Sequence, residues 1–273
     1  MPQSIDSQHI QDNAHVTLKD SNGKIKEERT IMRRPKVLLC ILNQGQNSAG
    51  LETQLIRWMS ELRDKYEFDF FPAKYTGRPI SSNRNEIVRD FLKIDYDYLV
   101  MIDDDNPPNS NFLLLLDLDK DVLSIPTPGR DWRGIHWHVY DFDEKSTDEQ
   151  LIFKDIPVNR RTGLQQVGAV GTGCIMIARR VLEKIKRPFE DLFDEDGVIK
   201  TNDDLAFSSK CRREGFTVWA HFDYTCSHYK NVDLLQMLRL IQMAGAVKAP
   251  HMISVDLKDP AQLEKVKKLL QKN

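Results

Sequence analysis

The sequence predicts an α/β domain built on a mixed, mostly parallel sheet with helices on both faces. Residues 36–42, KVLLCIL, form an unbroken apolar run of strand length, the mark of a strand buried on both sides. Apolar runs and amphipathic stretches then alternate at the spacing of βαβ units. A further apolar run, Tyr98 to Ile102, leads straight into three adjacent carboxylates, Asp103, Asp104 and Asp105. In open α/β sheets ligands bind beyond the carboxyl ends of the strands, so that run is expected to deliver its acids to a crevice.

The elements follow in order. Helices are expected over residues 51–65, 82–93 and 111–118, and strands over 67–71, 98–102 and 121–125. Residues 126–159 break the rhythm with Trp132, His136, Trp137, His138 and Tyr140, and read as excursions or antiparallel strands. After Gly173 a strand, CIMIA, leads into a helix, then a loop, a helix over 203–214 and a strand over 216–222. Asn202 suits that last helix as N-cap, Asp203 and Asp204 complement its dipole, and Gly215 suits its end. Residues 1–34 read as a flexible arm with a small hairpin around Asp20-Ser-Asn-Gly23. Residues 35–231 are expected to form the main domain, and 232–273 a helical extension with amphipathic stretches at 234–247 and 260–270.

Composition narrows the function class. The 273 residues carry a formal net charge of -2, so no global positive field points to nucleic acid or an anionic membrane. Arg179, Arg180, Lys184, Lys186 and Arg187 read as a solvated helix face. Cys40, Cys174, Cys211 and Cys226 form no C-x-x-C pair and suit reduced structural thiols. The polar N-terminus lacks a signal-peptide core, and no apolar run approaches the ~20 residues that span a bilayer. A cytoplasmic location is the expectation.

Three adjacent aspartates repel one another unless a cation or hydrogen-bond donors neutralise them. Mg²⁺ or Mn²⁺, held by one or two carboxylates and by substrate phosphate oxygens, would do so. The plain alternative is a solvated acidic turn. The strand ending in D-x-D resembles that of the GT-A glycosyltransferases, specifically the family-2-like enzymes, and the likeness extends over residues 36–228. The resemblance implies that Asp105 ligates the metal and that Asp103 contacts the donor, with Asp104 between them on the donor side. Residues 201–207, Thr-Asn-Asp-Asp-Leu-Ala-Phe, look like that family's E-D-x-x-F helix. By that likeness Asp204 is the catalytic base, and Asp203 stands where the family usually has Glu. His228, a few residues after a strand, matches a late histidine that completes the metal site; His221 competes with it but lies within the strand.

Further segments fit the same resemblance. Arg84, in Ser81-Ser-Asn-Arg84-Asn85, is placed against the diphosphate or base. Asn43 and the loop over 44–50 are where nucleoside contacts are expected. The turn over 168–173, ending at Gly173, lets backbone approach the sugar; no G-K-[ST] follows, so it is not a P-loop. Trp132 and Trp137 either stack on acceptor rings or pin their loop to the core.

The resemblance implies a metal-dependent, inverting transfer from a nucleotide-sugar donor, with UDP the expected nucleotide. The acceptor class stays open among a glycan, a lipid-linked sugar, a protein and a hydroxylated nucleic-acid base. A haloacid-dehalogenase phosphatase also starts from D-x-D, but Pro107 stands where that family needs Thr or Val. Two alternatives remain: a nucleotidyltransferase-like enzyme of the same fold class, and a non-catalytic nucleotide- or glycan-binding domain.

Overall fold

The computed structural model describes residues 14–19, 25–31, 33–42, 50–73, 78–131, 134–147 and 152–229. Asn43, the loop over 44–49, Trp132 and the expected C-terminal helices lie outside them. The chain divides into two compact units, Met1–Tyr229 and Lys230–Asn273, and the described residues all belong to the first.

An antiparallel hairpin of β1 (Ala14–Lys19) and β2 (Ile25–Ile31) occupies the N-terminal arm, where the sequence predicts one. β3 (Lys36–Leu42), α1 (Leu51–Glu61), β4 (Glu67–Ala73), α2 (Ile80–Lys93) and β5 (Tyr98–Asp103) then alternate as expected. A 3-10 helix, Phe112–Leu118, leads to β6 (Val122–Ser124). The aromatic stretch folds into β7 (Pro128–Asp131), β8 (Gly134–Trp137), β9 (Val139–Phe142) and β10 (Phe153–Asp155), with antiparallel partners throughout. The chain continues through β11 (Leu164–Val167), β12 (Ala169–Val170), β13 (Cys174–Ala178), α3 (Arg179–Lys184), β14 (Leu192–Phe193) and β15 (Ile199–Thr201). It ends in α4 (Asp203–Arg213) and β16 (Val218–His221).

The central sheet has the order β11-β16-β6-β13-β5-β3-β4. β4, β3 and β5 pair in parallel, as do β16 and β6, whereas β13 runs antiparallel to both β5 and β6, and β11 runs antiparallel to β16. Five strands therefore share one direction, and the fold class is the mixed, mostly parallel α/β architecture that the sequence predicts. Both faces are covered because the buried strands alternate their side chains between two cores. Leu38, Cys40, Leu42, Leu99, Met101, Ile175 and Ile177 face one core with Val88 and Phe91 of α2, Val181 of α3 and Phe207 of α4. Val37, Leu39, Ile41, Val100, Ile102 and Met176 face the other, with Leu55 and Trp58 of α1.

Two expectations are refined. The helix expected over 111–118 is a 3-10 helix, Phe112–Leu118, with Phe112, Leu113, Leu115 and Leu116 buried. The basic residues after β13 are not simply a solvated face. Arg179 donates to the carbonyls of Leu92, Ile94 and Tyr96, satisfying the end of α2, and Arg180 is bonded to Asp119 and Asp121.

Gly215, at φ 81, ends α4 as the sequence predicts, with Phe216 N donating to Cys211 O and Gly215 N to Arg212 O. Its N-terminus differs in detail: the Asn202 side chain makes no cap hydrogen bond, and the Asp191 carboxylate accepts from the Asp203 amide at 3.0 Å.

Phe91 is fully buried and stacks on Tyr96 with ring centroids 5.8 Å apart, whereas Leu114 is 45% exposed. Urea denaturation should therefore show Phe91→Ala losing about 3–5 kcal/mol of stability. Leu114→Ala should lose about 0.5 kcal/mol or less.

Candidate active site

β5 ends at the centre of the sheet, and its continuation places Asp103, Asp104, Asp105 and Asn106 in a buried row at the carboxyl ends of the parallel strands. The row is held by backbone first. Asp103 N donates to Gly173 O at 2.8 Å and Asp104 N to Leu42 O at 3.0 Å, so neighbours on either side of β5 fix it.

The segment that follows β16 closes over this row. Asn109 N donates to Thr225 O, Cys226 N to Pro126 O, Ser227 N to Pro107 O and Tyr229 N to Asp105 O, at 2.8 to 3.0 Å. That lacing brings His228 Nε2 to 3.3 Å from Asp105 Oδ2. On the other side of the ring, His228 Nδ1 lies 2.5 Å from the carbonyl oxygen of Pro128. A carbonyl can only accept, so Nδ1 carries the hydrogen and Nε2 is turned to the carboxylate. Carboxylate oxygen and imidazole nitrogen thus face each other at a separation that a proton or a cation between them satisfies.

The donor set, one carboxylate and one imidazole whose far nitrogen is fixed by a carbonyl, suits Mn²⁺ or a related divalent ion. Among the described residues no group of three or more His, Cys, Asp or Glu side chains is close enough to hold an ion. An ion at Asp105 and His228 would take its remaining ligands from water and substrate phosphate oxygens. Asn106 supports the pair by donating its side-chain amide to Asp105 Oδ1. Gly173 leaves room for this: a Cβ there would stand 2.7 Å from Asn106 Oδ1.

Acids from the last helix approach the same row. Arg84 of α2, only 4% exposed, donates Nη1 to Asp203 at 2.7 Å and Nη2 to both oxygens of Asp103 at 3.0 Å. Burial works against its charge, but Asp103 and Asp203 outweigh that and raise its pKa further. Burial pushes the Asp103 carboxyl up while Arg84 pulls against it. Asp204, the next residue on α4, is less enclosed and accepts from the Leu205 amide at 2.8 Å. Burial among protein groups and the neighbouring Asp203 charge push it up to about 6, with Arg84 acting in the opposite direction. Arg84 thus bonds two of the five carboxylates gathered here, Asp103 and Asp203.

The sequence-derived roles are redistributed in part. Asp105 and His228 are brought together, and Asp103, Asp203 and Arg84 meet in one ion-paired group. Arg84 itself is buried, with both terminal nitrogens engaged by acids of the same chain. Its neighbour Asn85 is likewise turned inward, holding the backbone of Phe189. His221 lies in β16, against Tyr224 and away from the Asp105 pair. Trp137 is half-buried on β8 opposite Pro128, the residue that holds His228. Beside it His138 packs against Gly129 and Gly171: an added Cβ at Gly129 would come within 1.8 Å of its ring, and one at Gly171 within 2.8 Å of its own Cβ.

Asn106, Pro128 and Asp191 had no role assigned from sequence. Pro128 acts through its carbonyl, 100 residues from His228, and nothing local marks it. A separate cleft of about 560 Å³, lined by Phe142, Arg212, Phe216 and Thr217 among others, opens near the start of β16 and includes none of these acids.

Because folding raises the Asp204 pKa, the stability it contributes is complete at low pH, where Asp204 is protonated folded or unfolded. That contribution is lost as pH rises through about 6. The unfolding free energy of wild type minus that of Asp204→Asn should therefore fall between pH 4 and 7, by on the order of 2 kcal/mol. A flat difference in urea titrations across that range would refute the assignment.

No family model and no curated protein matches the sequence. Among solved structures, the chain is similar to the A197 protein of STIV, at 19% identity and a TM-score of 0.46, over 72% of this chain and 86% of that one. It is also similar to GalNAc-T7, crystallised with UDP, GalNAc and Mn²⁺, at 10% identity and a TM-score of 0.41. That match covers 77% of this chain and 48% of that one, so this chain spans about half the length of that relative. A third is a nucleotide-diphospho-sugar transferase, so titled as a provisional assignment, from Desulfovibrio desulfuricans. There the identity is 12% and the TM-score 0.35, over 88% of this chain and 98% of that one.

Proposed function

We propose that the chain is a metal-dependent glycosyltransferase that moves a sugar from a nucleotide-sugar donor, with UDP the favoured nucleotide, to an acceptor hydroxyl. The observation that carries this reading is the Asp105–His228 pair, 3.3 Å apart and oriented by Pro128, beside an acidic helix start that presents Asp204. Asp105 and His228 would hold the divalent ion. A bound Mn²⁺ or Mg²⁺ supplies positive charge against the leaving diphosphate.

The chain's own residues account for the rest. Asp204, at about 6, is ionised at neutral pH yet more basic than an ordinary carboxylate, which suits a general base. It accepts the proton of the acceptor hydroxyl as that oxygen attacks the anomeric carbon, in the inverting manner that the family resemblance implies. Asp103 and Asp104 line the donor side of the row, with the backbone at Gly173 next to them. Trp137 and the hairpin of β7 and β8 overlie His228 through Pro128 and form the acceptor side, where Trp132 also belongs by sequence.

Nucleotide binding should require a divalent ion: UDP should bind in isothermal titration with Mn²⁺ and lose that binding in excess chelator. Undiminished binding in chelator would falsify the metal assignment. Asp105→Ala should weaken UDP binding by more than about tenfold. Asp204→Asn should leave UDP binding nearly intact while lowering turnover by roughly 10²–10⁴-fold. In wild type, kcat/KM should rise with pH through about 6 as Asp204 loses its proton, and level off above it. Incubation with sugar 1-phosphates and nucleoside triphosphates tests the nucleotidyltransferase alternative, since pyrophosphate release there would favour it.

A further inference from the structure

Arg84 stands under the crevice and joins three separate elements. It projects from α2, meets Asp103 at the end of β5 through Nη2, and meets Asp203 at the start of α4 through Nη1. Asp103 lies two residues before Asp105, and Asp203 lies one residue before Asp204. A guanidinium is a planar, rigid fork, so bonding one carboxylate through both its oxygens and another through the second nitrogen sets orientation as well as distance. The fork also has a wall behind it: the Phe189 ring centroid lies 5.9 Å from Arg84 Cζ, and Asn85 holds the Phe189 backbone. Two residues on, Asp191 takes the Asp203 amide, so the same short segment steadies both the arginine and the helix it grips.

We propose that Arg84 is the positioning residue for Asp204, fixing through Asp203 where the base carboxylate stands relative to the Asp105–His228 pair. This deepens the glycosyltransferase reading and rests on it. The charged groups acting on Asp204 are Asp203 on its own helix and Arg84 from α2. A lysine at position 84 would keep the positive charge but lose the fork, and so could not hold both acids in one geometry.

The test uses the full chain as wild type, Arg84→Lys, Arg84→Met and Asp203→Asn. Carbon-detected NMR follows the Asp204 carboxyl through a pH titration without any substrate, and UDP-glucose hydrolysis with Mn²⁺ reports turnover. Arg84→Met should move the Asp204 titration upward, because a positive neighbour is lost, and Asp203→Asn should move it downward, because a negative one is lost. Arg84→Lys should stay near wild type in the titration yet lose roughly 10²-fold in kcat, with donor KM changed by less than about threefold. Folded Arg84→Lys with wild-type kcat, or an Asp204 titration that is the same in Arg84→Met and Asp203→Asn as in wild type, overturns the proposal. If Arg84→Met does not fold, the other two variants decide it. If wild type itself hydrolyses no nucleotide sugar, the glycosyltransferase reading fails, and the two opposite NMR shifts still decide whether Arg84 governs Asp204.

Discussion

One buried guanidinium between two carboxylates ties the centre of the sheet to the last helix. Arg84 bonds Asp103 and Asp203, which stand two residues before Asp105 and one before Asp204. Burying a charge without partners is costly, and here the cost is offset only because each partner needs the others. The acids cannot be packed together without Arg84, and Arg84 cannot be buried without them. The same group places further carboxylates close by, which is the feature the proposed cation would answer.

The closing segment over 225–229 depends on a different economy of donors and acceptors. Pro107, Pro126 and Pro128 have no amide hydrogens to give, and each supplies a carbonyl to that segment, to Ser227 N, Cys226 N and His228 Nδ1 in turn. Prolines suit a rim of this kind because their fixed φ keeps the carbonyls in place and leaves no competing donor. The result is a histidine whose orientation is decided by its surroundings, with Nε2 turned to Asp105.

Much of the fold and part of the site are legible in the sequence. The apolar run KVLLCIL and the run before Asp103 both become central strands, and the α4 segment keeps its acids at the start and Gly215 at the end. The family resemblance pairs Asp105 with His228, and the structure sets them 3.3 Å apart. For Arg84 the sequence leaves its protein partners out of sight. An arginine opening a helix near a phosphate site reads as a ligand contact, and only its burial reveals that its charge is spent on acids of the same chain. Arg179 and Arg180 were misread for the same reason, since a basic helix start looks solvated until the carbonyls and carboxylates it meets are in view.

By itself the sequence determined the alternation of strands and helices over residues 36–103, the Gly215 end of α4 and the clustering of acids after a buried strand, because these depend on periodicity and on neighbours a few residues away. The tertiary structure alone decided which strands run antiparallel, that Asp203 lies against Arg84 from 119 residues away, and that Pro128 orients His228 from 100 residues away. Those pairings are made by packing and by the need to satisfy buried polar groups, and neither leaves a local pattern in the chain.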